Sequence, residues 1–148
     1  MRIEAATRDD IPALCDLLAL LFAQEHEFAP DRAAQTRGLQ AIIDDPGVGA
    51  IFVARQDGRN LGMVNLLFSV STALGARVAV LEDLVVATEA RGAGVGKALL
   101  AHAIDFAGSV GCRRITLLTD HDNTRAQQLY RAHGFEASGM IPMRRPID

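Results

Sequence analysis

The chain has 148 residues, a length that suits one hydrophobic core, and we predict a single domain over residues 1–148. The net charge of −3 and the pI near 5.8 argue against a nucleic-acid binder, because such proteins usually present a basic face. No apolar run approaches the roughly 18 residues that span a bilayer, and the N-terminus lacks the apolar core of a signal peptide. The sequence therefore predicts neither a nucleic-acid partner nor a membrane partner.

The first part of the chain predicts a short strand, two helices and an antiparallel meander. Polar and apolar residues alternate at the start, and apolar residues then recur at helical spacing behind a cap at Thr7 or Asp9. The Asp57-Gly58 pair favours a hairpin turn between two apolar strands. The elements predicted before residue 90 are a strand over 1–7, helices over 11–22 and 31–43, and strands over 50–55, 61–71 and 77–86.

The second part predicts two helices separated by one strand. One helix follows a glycine-rich loop and runs to Ser109, and the other takes Asn123 as its cap and stops at His133-Gly134. Further strands are predicted over 114–119, 135–137 and 141–144. The full order is β-α-α-β-β-β-α-β-α-β-β, a mixed α/β (α+β) pattern with one crossover helix.

The loop before the first of these helices is the strongest functional signal. Its glycines can take a positive φ and let the backbone approach a ligand, while the helix N-terminus offers free N–H groups and a positive dipole end. Together these features predict a site for a phosphate-bearing ligand. The residues that we predict to bind it are Arg91, Gly92, Ala93, Gly94, Val95, Gly96 and Lys97.

The spacing within the loop separates three kinds of glycine-rich site. A Walker A loop fails twice, because Arg91 stands in place of its first glycine and Ala98 in place of its Ser or Thr. A dinucleotide fingerprint fails at Lys97, where its last glycine belongs. The pattern that fits is Arg/Gln-x-x-Gly-x-Gly/Ala over residues 91–96. Close packing alone is the structural alternative, although three clustered glycines at a helix start are costly.

A second segment supports the same interpretation. Residues 123–135 follow the pattern Asn-x-x-Ala-x-x-apolar-Tyr-x-x-x-Gly-Phe. With both segments, the chain resembles the GCN5-related N-acetyltransferases, the GNAT family, over its whole length. The resemblance implies the GNAT fold, acetyl-CoA as donor and direct attack by an amine in a ternary complex. It also implies that the backbone of Leu84, Val85 and Val86 holds the thioester and pantetheine.

Glu82 is the candidate general base. It precedes Asp83 in an otherwise apolar strand, and strand alternation predicts that the two carboxylates point to opposite faces. In similar enzymes the glutamate at this place is the base or orients a water. The structural alternative is that Glu82 forms an ion pair with Arg77 or Arg113, and Asp83 is expected to be structural.

Tyr130 is the candidate general acid. It lies seven residues after Asn123, about two helical turns, so we expect the two residues to share a helix face. The resemblance implies that Tyr130 protonates the thiolate that leaves, with Asn123 among the coenzyme-binding residues. The alternative is a tyrosine packed on the core. Arg131 is a further candidate for the 3′-phosphate of the coenzyme, beside Arg125, although solvated helix positions also explain such arginines.

Other polar residues carry weaker signals. The loop residues 120–122, Asp-His-Asp, favour turn and capping roles over a metal site, and Glu25, Glu27 and Asp31 could hold a cationic substrate. Cys15 and Cys112 form no C-x-x-C pair, which indicates reduced thiols in a cytoplasmic protein and no covalent intermediate.

The acceptor is the least determined part of the prediction. It is a small-molecule amine or a peptide amine, and the residues do not choose between the two. Dimers are common in the family, so the resemblance also admits a homodimer. The alternative function is a non-catalytic coenzyme A sensor or regulatory module, which would keep the loop and dispense with Glu82 and Tyr130.

Overall fold

A computed structural model describes residues 1–24 and 31–148. The chain divides into two compact units, Met1–Leu118 and Thr119–Asp148. The first unit holds β1 (Arg2–Ala5), α1 (Ile11–Gln24), α2 (Arg32–Ile43), β2 (Gly49–Gln56), β3 (Arg59–Ser71), β4 (Ala76–Val86), α3 (Val95–Ser109) and β5 (Ile115–Leu117), and the second holds α4 (Thr124–Ala132). Glu25 and Glu27, predicted as substrate contacts, lie outside the described residues.

The first unit is built on a five-stranded mixed sheet in the order β1-β2-β3-β4-β5. The first four strands are antiparallel to their neighbours, and β5 runs parallel to β4 after the crossover helix α3. The predicted hairpin turn is confirmed, since Asp57 and Gly58 have φ of 52° and 72°, the two positive values that a type I′ turn needs. The mixed α/β fold predicted from the sequence is therefore confirmed.

Both faces of the central strands are buried. Residues 61–66 of β3 are all buried, α3 contacts β2, β3 and β4, and α1 contacts β3 and β4. Gly62 lies under α3, because a Cβ at this position would stand 3.0 Å from Leu99 and 3.3 Å from Val95. Alternation then assigns the even-numbered residues of β3 to the face of α3 and the odd-numbered residues to the opposite face.

A partly buried ion pair holds the chain segment before α1 against the sheet. Arg55 of β2 donates to Asp10 at 2.7 Å and to Asn60 at 2.7 Å. Asp10 also accepts from the backbone N–H of Thr7 at 2.8 Å, which makes Thr7 and Asp10 the two ends of a capping box. Thr7 is therefore the N-cap of the short 3-10 turn Arg8–Asp10 that leads into α1, and not of α1 itself. The hydrogen bond from Arg55 is the main cause of the lowered pKa of Asp10.

The two strands predicted after α4 are wrong, since residues 135–148 contain no strand. Pro142 lies in the middle of the second predicted strand and lacks the N–H that a ladder requires. The apolar residues of that predicted strand are instead exposed, Ile141 by 80% and Met143 by 88%. No described helix is long and apolar enough to cross a membrane.

Candidate active site

A β-bulge lies in β4 at Glu82. Asp83 pairs with Asn65 of β3, but the next pair along is Leu66 with Leu81, so the ladder shifts by one residue between them. Glu82 is the extra residue and has no partner in the register. A bulge bends its strand and increases its twist locally. The sequence shows no such irregularity, because its position depends on how β3 and β4 pair.

The bulge interrupts the strict alternation of β4 at the two carboxylates. Leu81 and Leu84 pair with Leu66 and Val64, two residues that share the face of α3. Strict alternation would put Leu81 and Leu84 on opposite faces, so the phase of the strand changes between them. Glu82 has no partner in the ladder, so the register assigns a face to Asp83 but not to Glu82, and their placement on opposite faces stays a prediction. Asp83 lies opposite Asn65, on the sheet face away from α3.

Glu82 is exposed to solvent and forms no ion pair with Arg77 or Arg113, its two predicted partners. Among the described residues it forms no salt bridge. Arg77 lies over the ring of Phe68, 4.9 Å from its centroid, and Arg113 is exposed. The structural alternative for Glu82, an ion pair with either arginine, is not formed.

Beyond the bulge, no strand of residues 1–24 and 31–148 pairs with the outer edge of β4. The parallel ladder with β5 ends at the pair of Leu81 with Leu117, the residue just before the bulge. Ala87 donates its backbone N–H to Leu61 of β3 at 2.8 Å. Alternation then turns the N–H of Val85 toward β3 and the N–H groups of Leu84 and Val86 toward the open edge. Two of the three predicted backbone positions thus direct their N–H groups to this edge, and Val85 contributes a buried side chain.

The glycine loop has the backbone conformation that its sequence predicts. Gly92 and Gly94 have φ of 82° and 81°, and a Cβ at either position would meet nothing within 4 Å. Gly94 is the N-cap of α3, with no side-chain cap, and its carbonyl accepts the first helical bond from Ala98 at 3.0 Å. The N–H groups of residues 95–97 precede that bond, so the helix itself leaves them unsatisfied.

The charges around this helix start favour an anion. The first turn of α3 contains no acidic residue. Arg91 and Lys97, which is the chain's single lysine, are both exposed, one on each side of the N-cap in sequence. The positive end of the helix dipole, the backbone N–H groups and the two cations therefore all favour the binding of a negatively charged group. The segment 81–97 brings together the bulge, the open strand edge and this anion site.

The second unit holds the remaining predicted residues on α4. Asn123 is the N-cap, as predicted, because its side-chain oxygen accepts from the N–H of Ala126 at 3.2 Å. Tyr130 is half-buried and packs edge-on against Phe135, with ring centroids 5.8 Å apart. Burial raises the pKa of the Tyr130 phenol above its usual value of 10.0, so the hydroxyl stays protonated at neutral pH. Arg131 is exposed near the end of the helix.

The loop before α4 serves as a turn. The carbonyl of Asp120 accepts from the N–H of Asn123 at 3.1 Å and from the side chain of Gln127 at 2.9 Å. The carbonyl of Asp122 accepts from the N–H of Thr124 at 3.0 Å. A search of residues 1–24 and 31–148 finds no group of His, Cys, Asp and Glu that could hold a metal ion.

Asn65 lies beside the bulge and was not predicted from the sequence. Asn65 stands in the buried part of β3, between Val64 and Leu66, and only 4% of it is exposed. Its Nδ2 donates to Asp83 at 2.9 Å, while its Oδ1 is buried and has no hydrogen-bond partner within the described structure. A single amide inside an apolar strand is the signal that could have found it.

Known proteins resemble this chain in sequence and in fold. Residues 11–135 match the acetyltransferase (GNAT) family. An uncharacterized N-acetyltransferase of Bacillus subtilis (strain 168), YhfO, is 33% identical over 139 residues, which cover 92% of this chain and 90% of that protein. A glucosamine 6-phosphate N-acetyltransferase of Trypanosoma brucei brucei is 32% identical over 91 residues, 61% of this chain and 60% of that protein.

Among solved structures, the crystal structure of a probable acetyltransferase superposes with a TM-score of 0.84. The two proteins are 29% identical, and the match covers 100% of this chain and 99% of the other. The family match extends from α1 to the residue after the glycine that ends α4, so it includes both segments on which the sequence prediction rested. The chain belongs to the acetyltransferase (GNAT) family and is an acetyltransferase.

Proposed function

We propose that this enzyme moves an acetyl group from acetyl-CoA to a primary amine by direct attack in a ternary complex. The observation that carries the proposal is the segment 81–97, in which a bulged strand with an open edge leads into a glycine-lined helix start. Each part of that segment offers what one part of the reaction needs. The acceptor is a small-molecule or peptide amine, and the relative that acetylates glucosamine 6-phosphate makes an amino sugar one candidate.

The loop fits the diphosphate of the coenzyme. Its donors are backbone amides, which carry no charge of their own, so the phosphate must come close to them. Gly92 and Gly94 allow this approach, because they have no side chain and nothing lies within 4 Å of where a Cβ would stand. Arg91 and Lys97 supply the charge. An acidic residue in the first turn would oppose such binding, and there is none in α3. From the family resemblance, we infer that Asn123 and Arg131 also bind the coenzyme.

The open edge of β4 fits the thioester and the amides of pantetheine. The N–H groups of Leu84 and Val86 project from the edge of β4 opposite β3, where no described strand pairs with them. A backbone N–H can hold the thioester oxygen and stabilise the negative charge that develops on it during attack. The strand is fixed on its other side by β3, so these donors need little reorganisation.

Glu82 is the proposed base. A primary amine with a pKa of about 10.4 is almost wholly protonated at pH 7, and forming the neutral nucleophile costs roughly 4–5 kcal/mol. A carboxylate can accept this proton, directly or through one water, as the amine attacks and the new C–N bond forms. Glu82 is exposed and unpaired among the described side chains, so its carboxylate is available for this step.

Tyr130 is the proposed acid. The sulfur that leaves is a thiolate whose conjugate acid has a pKa of about 8.5. Since burial raises the pKa of Tyr130 above 10.0, complete transfer from the free phenol to the thiolate would be uphill by more than about 2 kcal/mol. We therefore propose that Tyr130 donates a hydrogen bond as the C–S bond breaks, with the proton following the growing charge.

A panel of amines tests the function. The protein is incubated with acetyl-CoA and each amine, thiol release is followed, and acetylated products are identified by mass. Glu82→Gln should lower kcat about a hundredfold, whereas the matched variant Glu136→Gln, at an exposed carboxylate beyond α4, should not change it. Tight coenzyme binding without thiol release across the panel would favour the sensor instead. A Glu82→Gln variant with unchanged kcat would remove the base from the proposal.

A further inference from the structure

The hydrogen bond between Asn65 and Asp83 lies at the point where the sheet changes register. Asn65 and Asp83 form the last directly opposed pair before the bulge, and the Nδ2 of Asn65 donates to a carboxylate oxygen of Asp83 at 2.9 Å. The residue that follows this pair toward the start of β4 is Glu82. A side-chain bond across the strands therefore fixes the backbone immediately beside the proposed base.

Stability alone does not explain an asparagine at this position. Its neighbours Val64 and Leu66 are fully buried, and so is Met63, which shares its face of the sheet. The Oδ1 of Asn65 is buried without a partner among the described residues, and a buried acceptor in that state costs free energy. An apolar residue would avoid the cost. The amide orientation is set by chemistry, since only Nδ2 can donate to the carboxylate.

We propose that Asn65 is a positioning residue for the acetyl transfer, acting through Asp83 to hold the bulge so that Glu82 stays aligned with the amine. This rests on the proposed role of Glu82 as the base. Asn65 has no part in proton transfer itself. A bulge is a soft point in a ladder, because its extra residue has no partner of its own. The cross-strand bond makes one register the stable one and so fixes where the carboxylate stands.

The proposal predicts non-additive losses. In the wild-type background, Asn65→Leu removes the donor and should lower kcat about tenfold to a hundredfold, as a small misplacement of a catalytic group does. The KM for acetyl-CoA should change less than kcat, because the proposed diphosphate loop over residues 91–97 is untouched. In the Glu82→Gln background the same substitution should lower kcat by no more than about twofold, since no base remains to be misplaced.

Three further variants make the test specific. Met63→Leu, a volume-conserving change on the same face of β3, controls for disturbed packing and should leave kcat near the wild-type value. Asp83→Asn keeps an oxygen that can accept from Asn65 and should retain more activity than Asp83→Ala. If Asn65→Leu does not fold in a thermal melt, Asp83→Ala replaces it in the cycle with Glu82→Gln.

The outcomes separate the two proposals. Equal fold-losses from Asn65→Leu with and without Glu82 would show a merely structural role and overturn this inference alone. Wild-type kcat in Asn65→Leu would do the same. Wild-type kcat in Glu82→Gln would remove the proposed base and, with it, the group through which Asn65 is held to act. A lower kcat in Glu82→Gln, together with non-additive losses of kcat in the variant that carries both Asn65→Leu and Glu82→Gln, would support Glu82 as the base and Asn65 as its positioning residue.

Discussion

Gly94 offers the sharpest test of the coenzyme site, because the chain contains a matched control for it. Gly94 has φ of 81° and forms the N-cap of α3, while Gly111 has φ of 89° and lies just after the other end of the same helix. A Cβ would meet nothing within 4 Å at either position. Gly94→Ala and Gly111→Ala therefore impose a similar backbone strain, but only Gly94 lies in the proposed diphosphate loop.

The expected magnitudes follow from this geometry. An alanine forced to a left-handed φ costs about 1–2 kcal/mol, whichever of the two sites it occupies. For a chain of this size that lowers Tm by roughly 2–8 °C in both variants. Gly94→Ala should in addition disturb at least one amide that donates to a charged phosphate, an interaction that contributes about 1.5–3 kcal/mol. The Kd for acetyl-CoA should then rise about 10- to 100-fold.

Two measurements separate strain from binding. Thermal melts without ligand report the strain, and isothermal titration with acetyl-CoA reports the affinity. We expect both variants to melt lower and only Gly94→Ala to lose affinity. An unchanged Kd for Gly94→Ala, or an equal rise in Kd for Gly111→Ala, would refute the view that the amides around Gly94 grip the diphosphate.

Two other predictions concern the ion pair before α1 and the tyrosine of α4. The lowered pKa of Asp10 means that its ion pair with Arg55 stabilises the fold fully above the unfolded-state pKa of about 3.9, and that this stability is lost as the pH falls through the lower folded value. Asp10→Asn should therefore lower the free energy of unfolding by about 2 kcal/mol at pH 7 and by less at pH 2. Urea titrations at the two pH values measure both losses, and equal losses would contradict the stabilising role of the ion pair. Tyr130→Phe keeps the ring contact with Phe135 but lacks the hydroxyl, so we expect kcat about a hundredfold lower with an unchanged KM for acetyl-CoA in steady-state assays. A wild-type kcat would rule out the acid role.

The features that the sequence predicted correctly depend on local chemistry. Asp57-Gly58 forms its turn because both residues tolerate a positive φ, and Asn123 caps α4 because its side chain reaches the N–H three residues on. The loop at Gly92 and Gly94 belongs to the same class. In each case the residues that determine the conformation are neighbours in the chain.

The features that the sequence left undetermined or predicted wrongly depend on distant partners. The bulge at Glu82 exists only relative to β3, seventeen residues away at Asn65, so no pattern within β4 reveals it. The hydrogen bond from Asn65 to Asp83 depends on the same register. The strands expected after α4 were predicted from their apolar residues. Pro142, however, lacks the N–H that a ladder needs, and the side chains of Ile141 and Met143 are exposed.

The position of the bulge explains why one strand can serve two functions. From Ala79 to Leu81, β4 pairs on both edges, with β3 on one side and β5 on the other. The pairing with β5 stops at the residue before the extra one, and a bulge bends and twists its strand at that point. The N–H groups of Leu84 and Val86 follow the bulge on an edge that no described strand pairs with, and Glu82 lies in sequence at the start of that edge. In the proposed function, both the acyl-donor site and the base therefore depend on this one irregularity.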